Sequence, residues 1–436
     1  MKRRRRRRER ARPHRLVEHF QITKIEAHSI YPKCITFEKN DILNHVKLLS
    51  PCPGNGIYGT DMQASDTLTI LEKLVAFDTT SHKSNLPLIE YVETFLKQHG
   101  IPSHRVSSAC GQKSSLYATI GPEAPGGVVL SGHTDVVPAS PDDWSSDPFR
   151  LRIQDGKAFG RGTTDMKGFL AVCLAAVPKM CAAPLCRPVH LAFSFDEEPG
   201  CLAAPEMIAE MHKTLPDVLM VIVGEPSGMK IANAHKGVLI LTVTVTGIES
   251  HSSRPDIGVS AIETASKMIA ELYDIEDLAG DVKTRPTLNV GLVDGGTANN
   301  IIAGSCTFTI GLRYLRDEDL RAVETRMLSI LEAADAKLKS VDAKLGVSWS
   351  SYFIPSLDPE KDTSAETRLK HLLGVNQSIT VPFATEAGQF QEVGWSTVVL
   401  GPGHIDQAHT VDEFIEVSQL ESAMEAIETI IAHQCR

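Results

Sequence analysis

The 436-residue chain contains no Cys-x-x-Cys pair: its nine cysteines, at 34, 52, 110, 173, 181, 186, 201, 306 and 435, are scattered and odd in number. That pattern argues against a thiolate zinc module or a disulfide framework and predicts mostly reduced thiols in a cytoplasmic protein. No apolar run approaches the ~20 residues that a membrane span requires. Internal repeats are missing, and low complexity is confined to the N-terminus. There, residues 1–16 hold ten Lys or Arg against the single acidic Glu9. The segment lacks the apolar stretch of a secretory signal, and twin arginines alone do not make an export signal. A run such as Arg3–Arg8 can bind nucleic acid or an anionic membrane, but a solvated tail is the default reading. Ten of the 44 basic and one of the 54 acidic residues fall in this segment, so a net charge of −10 for the chain becomes −19 for the rest.

What is present suits a soluble globular protein, with 42% hydrophobic and 22% charged residues. The length allows two or three domains. Five short clusters carry the chemistry: His133 and Asp135 in SGHTD, Asp165 in GRGTTDMKG, Glu197 and Glu198 in FSFDEEPG, Glu225 in VGEPSG, and His409 in GPGHIDQAHTVDE. Three of them follow apolar, β-branched runs at Val128–Leu130, Val189–Phe195 and Val218–Val223, which predict buried strands. Ligands just past strand ends of an open α/β sheet converge on one crevice although far apart in sequence. Imidazole and carboxylate donors without cysteine suit a hydrolytic zinc-type site that keeps a position open for water. Two ions roughly 3.5–4 Å apart, joined by a carboxylate, activate water and polarise a carbonyl together. Asp165 is the natural bridge, because it precedes the apolar, helix-like stretch Met166–Val177 and so lies near a helix N-terminus. Glu197 and Glu198 leave a strand end in different directions, so one can bind metal while the other faces the water as general base. Asp135, two residues after His133, is placed to hydrogen-bond the far nitrogen of that imidazole. Spacing leaves His404 open as a competitor of His409, whereas His190 and His212 read as structural or surface residues. Glycines at 160, 162, 224, 401 and 403 let backbone approach a crowded site.

The segments SGHTDVVP, DDWSSDPF, GRGTTDMKG, DEEPGC, GEPSGMK, AHKG, HSSRPDIGVSAIE, GGTANNI, ATEAG and LGPGHIDQAHTVDEF run in order from about Asp66 to Ile431. Together they resemble the acetylornithine deacetylase and succinyl-diaminopimelate desuccinylase family of dizinc amidohydrolases. The resemblance implies two zinc ions, with cobalt able to substitute: His133 and Glu225 on one, Glu198 and His409 on the other, and Asp165 between them. It further implies Glu197 as base, Asp135 supporting His133, and a cis peptide after Asp165. Asn300, Arg313 and Thr385 become substrate-binding residues, with Arg313 receiving a carboxylate and Asn300 near the scissile amide. His251 reaches the active site of a partner subunit in a homodimer, where it stabilises the oxyanion. Ala234-His235-Lys236-Gly237, Met229 and Thr385-Glu386-Ala387 lean toward the deacetylase branch, which acts in arginine biosynthesis. One departure is Ala303, where the family commonly has proline.

An α/β fold is expected: a dizinc-aminopeptidase-like catalytic domain with a central, mostly parallel sheet, interrupted by a smaller α+β lid that also dimerises. The lid should read β-α-β-β-α, from Val238–Thr246, Gly258–Tyr273, Thr287–Val293, Cys306–Tyr314 and Asp317–Leu338. The divisions fall at 1–61 for the basic extension, 62–236 and 352–436 for the catalytic domain, and 237–351 for the lid. Two functions from different classes compete. One is metal-dependent hydrolysis of an N-acyl amino acid, most simply N2-acetyl-L-ornithine, with N-acetylcitrulline, N-succinyl-diaminopimelate or a dipeptide as alternatives. The other is a non-catalytic binding protein on the same scaffold, using the basic tail to reach nucleic acid. The retained base Glu197 and five ligand positions favour the enzyme.

Overall fold

The computed structural model describes residues 64–275, 285–359 and 362–436, so the expected basic extension over 1–61 lies outside the described residues. The main sheet has eight strands. Four of them lie side by side and parallel, in the order Val189–Ser194, Gly127–His133, Val218–Pro226 and Thr397–Gly401. Ser114–Ile120 and then Ser103–Ser107 extend the sheet antiparallel on one side, and Ala232–His235 and Ile379–Val381 extend it on the other.

Every residue of Gly127–His133 and Val189–Ser194 is buried, because helices cover both faces of the sheet. This is why these strands read as continuous apolar runs. Alternate side chains divide between two cores. Val128, Leu130, Met220, Ile222, Val398 and Leu400 pack with helices Ala64–Val75, Lys167–Ala182 and Val417–Gln434. Val129, Val221, Val223 and Val399 face helices Ala204–Thr214 and Ala387–Glu392 on the other side. Gly224 makes the first packing possible: a Cβ there would lie 2.0 Å from the ring of Phe169 on the central helix.

A second, antiparallel sheet has its own core, in the order Thr287–Gly295, Ser305–Tyr314, Gly237–Thr246, Gly346–Ile354. Its buried face, with Leu241, Val243, Phe308 and Ile310, is backed by helices Ala261–Tyr273 and Asp317–Lys339. The sequence pattern β-α-β-β-α is present with one strand more in this sheet. Gly346–Ile354 went unread because GVSWSSYFI interleaves serines with few apolar residues and buries only Val347 and Ile354 fully. Tyr352, expected at the return crossing, lies inside this strand, which pairs with Gly237–Thr246 as far as Ile354. Just beyond, His235 and Leu357 exchange two backbone hydrogen bonds of 3.2 Å, tying the two crossings together.

Six described cysteines, Cys110, Cys173, Cys181, Cys201, Cys306 and Cys435, are free thiols, while Cys186 is disulfide-bonded. Among the described residues no helix is long and apolar enough to cross a membrane.

Candidate metal centre

The parallel strands deliver their chemistry at one end. His133 closes its strand, Glu197 and Glu198 follow Val189–Ser194 by three and four residues, and Glu225 is the penultimate residue of Val218–Pro226. Asp165 sits two residues before helix Lys167–Ala182, and His409 lies in the loop after Thr397–Gly401. The backbone is strained around them. Asp196, Cys201 and His409 hold φ of 53°, 55° and 58°, in the left-handed region that non-glycine residues seldom occupy. The Asp165–Met166 bond is cis.

Two triads form, His133–Asp165–Glu225 and Asp165–Glu198–His409, each with one ligand atom per residue within 4.8 Å of the others. Asp165 belongs to both and divides its oxygens. His133 Nε2 lies 3.0 Å from Asp165 Oδ1 and 3.5 Å from Glu225 Oε1. His409 Nε2 lies 3.3 Å from Asp165 Oδ2 and 2.9 Å from Glu198 Oε2. His404, the competitor by spacing, instead places Nδ1 3.2 Å from Asp406 Oδ2 and belongs to neither triad.

The far nitrogen of His133 meets Asp135 in an unexpected way. Nδ1 lies 2.9 Å from the Asp135 backbone carbonyl, and the carboxylate is farther, at 3.6 Å. That carboxylate has other work: it accepts from the Ser81 hydroxyl at 2.8 Å and from the amides of Glu197 and Glu198 at 3.2 and 3.3 Å. Asp135 thus locks the imidazole and the Glu197–Glu198 turn to each other.

Glu413 was not anticipated. Its buried carboxylate accepts from the amides of Gly162, Thr164 and Asp165 at 2.9, 2.9 and 3.1 Å, and from Arg161 Nη1 at 2.7 Å. The Arg161 guanidinium in turn lies over Trp144, 5.0 Å from the ring centroid. Glu413 stands four residues after His409, so one chain turn supplies a candidate ligand and also fixes the loop that presents the shared carboxylate.

Four carboxylates, Asp165, Glu197, Glu198 and Glu225, gather here with two imidazoles. Among the described residues Glu198 Oε1 and Glu225 Oε1 are buried without a hydrogen-bond partner, which is costly unless a cation meets them. The donor set and these orphaned oxygens fit divalent ions. The titration behaviour agrees. Burial pushes Asp165 up, but hydrogen bonding to His133 and His409 outweighs it and holds that carboxyl well below its usual range. Hydrogen bonds with Asp165 and Glu198 raise His409 to about 10. Burial, reinforced by the charges of neighbouring carboxylates, pushes Glu197 and Glu225 well above the ordinary value.

A family model described as Peptidase family M20/M25/M40 matches residues 129–433. The chain belongs to that family. It is 33% identical over 372 residues to an acetylornithine deacetylase of Proteus mirabilis, covering 83% of this chain and 93% of that protein. Among solved structures it is similar to aminopeptidase PepT of Bacillus cereus, with a TM-score of 0.68 at 19% identity over 85% of this chain and 98% of that one. It is also similar to a dinuclear metal-binding M20 peptidase of Bacillus subtilis, with a TM-score of 0.58 at 15% identity over 86% and 99% of the two chains. The M20 chain is a metal-dependent amidohydrolase, which sets aside the non-catalytic reading.

Neither the expected substrate-binding residues Asn300, Arg313 and Thr385 of this M20 enzyme nor His251 belongs to the triads. Arg313, on Ser305–Tyr314, is exposed, stands opposite Val238 and Thr287, and has no hydrogen bond or ion pair among the described residues. His251 and Asn300 are exposed neighbours: His251 pairs with Ile301, and the Asn300 carbonyl accepts from the Ser252 amide at 2.9 Å. Thr385 is fully buried, and its hydroxyl accepts from the Ala387 amide at 3.0 Å, so it faces protein where direct substrate contact was expected.

Proposed function

We propose that the chain hydrolyses the amide bond of N2-acetyl-L-ornithine to L-ornithine and acetate, as a zinc enzyme of arginine biosynthesis in the cytoplasm. The observation that carries this reading is Asp165, which turns one oxygen to His133 and the other to His409. His133 and Glu225 then hold one ion and Glu198 and His409 the other, zinc being the expected metal and cobalt a substitute. When bound, such a pair supplies Lewis acidity at the scissile carbonyl and lowers the pKa of water. Glu197 takes the proton of the attacking water as its oxygen adds to the carbonyl carbon, and delivers that proton to nitrogen as the C–N bond breaks. Asp135 holds the imidazole and the Glu197 turn in register. The Arg313 guanidinium, which has no ion pair among the described residues, receives the amino-acid carboxylate through two parallel hydrogen bonds, and Asn300 stands near the amide. Thr385 acts indirectly, setting the helix start behind Glu386.

In this reading 62–236 and the chain beyond Ile354 make the catalytic domain, and 237–354 a lid through which two copies join, the return crossing falling just after Tyr352. Exposed apolar side chains support the joining: Leu292 and Val293 are 69% and 58% exposed on the edge strand Thr287–Gly295, and Ile262 and Ile301 are 42% and 38% exposed.

Product release from N-acetylornithine, N-acetylcitrulline and N-succinyl-diaminopimelate tests the substrate. A preference for either of the latter two replaces ornithine. Glu197→Gln should keep both ions by elemental analysis while kcat falls ~10²–10⁴-fold; normal turnover in that variant removes Glu197 as the base.

A further inference from the structure

Glu197 is followed by a tight turn whose last residue reaches back to it. The amides of Gly200 and Cys201 both donate to the Glu197 carbonyl, at 2.7 and 2.6 Å, and the Leu202 amide donates to the Asp196 carbonyl at 2.8 Å. The turn brings Cys201 Sγ to 3.2 Å from Glu197 Oε1. Among the described residues this thiol is the one hydrogen-bond donor to that carboxylate. Cys201 is itself held from three sides: its backbone by the Glu197 carbonyl, its own carbonyl by Gln389 Nε2 at 3.0 Å, and its buried side chain by Val238 and Ile354, with Ile240, Tyr352 and Ala384 around them. Val238, Ile240, Tyr352 and Ile354 belong to the two strands of the second sheet that leave and re-enter the first. The contact is close. Gly200 has φ of +131°, and a Cβ there would lie 2.8 Å from Tyr352 Cε1.

We infer that Cys201 is a positioning residue for the reaction: its thiol holds one oxygen of the Glu197 carboxylate, leaving the other to face the attacking water, and its packing anchors that arrangement to the crossing strands. The inference rests on Glu197 being the base. A thiol suits the task because it is a weak donor, steering the carboxylate with little loss of its basicity. It also stays protonated, since burial and the charge of Glu197 raise it well above its ordinary value. A carboxylate without this donor samples more rotamers, and misplacement of a reacting group by about 1 Å costs up to ~10²-fold in rate.

Cys201→Ala and Cys201→Ser, assayed beside Glu197→Gln, test the inference. Cys201→Ala should lower kcat about tenfold with KM and ion content near those of the parent and a melting temperature lowered by the loss of the buried sulfur. Cys201→Ser, which keeps a donor, should recover most of the loss. Wild-type kcat in the alanine variant, or a serine variant no better than alanine, overturns it. The infrared S–H stretch gives a second reading that needs no turnover: the band that disappears in Cys201→Ala belongs to Cys201, it should move when Glu197→Ala deletes the acceptor, and an unmoved band overturns the contact. An active Glu197→Gln protein would instead remove the base itself, a failure distinct from a dead Glu197→Gln beside a fully active Cys201→Ala.

Discussion

Glu386 lies buried behind the metal centre, where the hydroxyls of Ser194 and, at 3.3 Å, Ser131 donate to it. These serines sit on the strands that end in His133 and lead to Glu197, so one carboxyl links the two strands most important to the chemistry. Burial pushes that carboxyl up to about 6 against the donation by Ser194. A folded value above the unfolded 4.5 fixes the sign: the folded protein holds the proton longer, so stability is full below about 4.5 and is lost as pH rises through about 6. The span corresponds to about 2 kcal/mol at neutral pH. In chelator-stripped protein, Glu386→Gln should therefore be more stable than the parent at pH 7 by roughly that amount, with the advantage shrinking toward pH 5. Denaturant melts at several pH values measure it, and parallel curves for the two proteins would mean that Glu386 titrates normally.

The loop Gly160–Asp165 has no regular structure of its own, and Glu413 organises it by accepting from three of its amides while pairing with Arg161. Glu413→Ala leaves Arg161 and those amides unpaired in the interior, a change expected to cost about 3–5 kcal/mol. Because the Asp165 amide is one of the three, metal affinity should fall along with stability. Titration of stripped protein with zinc, followed by calorimetry, separates this from a purely global effect, and unchanged affinity in a destabilised protein would show that the loop holds its shape alone. Such a role was hidden in the sequence although its neighbours were not. His133, Glu197, Glu198 and Glu225 are legible because each rides on an apolar run long enough to announce a buried strand. Glu413 acts across 248–252 residues of chain, through backbone groups that carry no residue signature. The strand Gly346–Ile354 was missed for a related reason: its place comes from pairing with Gly237–Thr246, and its own serine-rich sequence has little β character.

At the scale of the whole molecule, the second sheet poses a question of distance. Val238 packs on Cys201 beside Glu197, at one end of the ten-residue strand Gly237–Thr246. His251 lies past the other end, held there by pairing of Ser250–His251 with Ile301–Ile302. At about 3.4 Å per residue the strand alone separates them by roughly 30 Å, so this histidine does not reach the metal centre of its own chain in this arrangement. Its Nδ1 accepts from the Ser253 amide at 3.2 Å, leaving Nε2 directed elsewhere. If a second copy receives it, a donor at the developing oxyanion is worth roughly 2.7–4 kcal/mol of barrier. His251→Ala should then lower kcat ~10²–10³-fold with both ions retained. Mixing it with inactive Glu197→Gln should restore activity, because in the mixed dimer one site has its own Glu197 and borrows His251 from the other chain. Random exchange at equal amounts leaves one site in four complete, so about a quarter of parental activity should return in a two-fold dimer. Subunit exchange demonstrated by native mass spectrometry, without any return of activity, would confine His251 to the surface of its own chain.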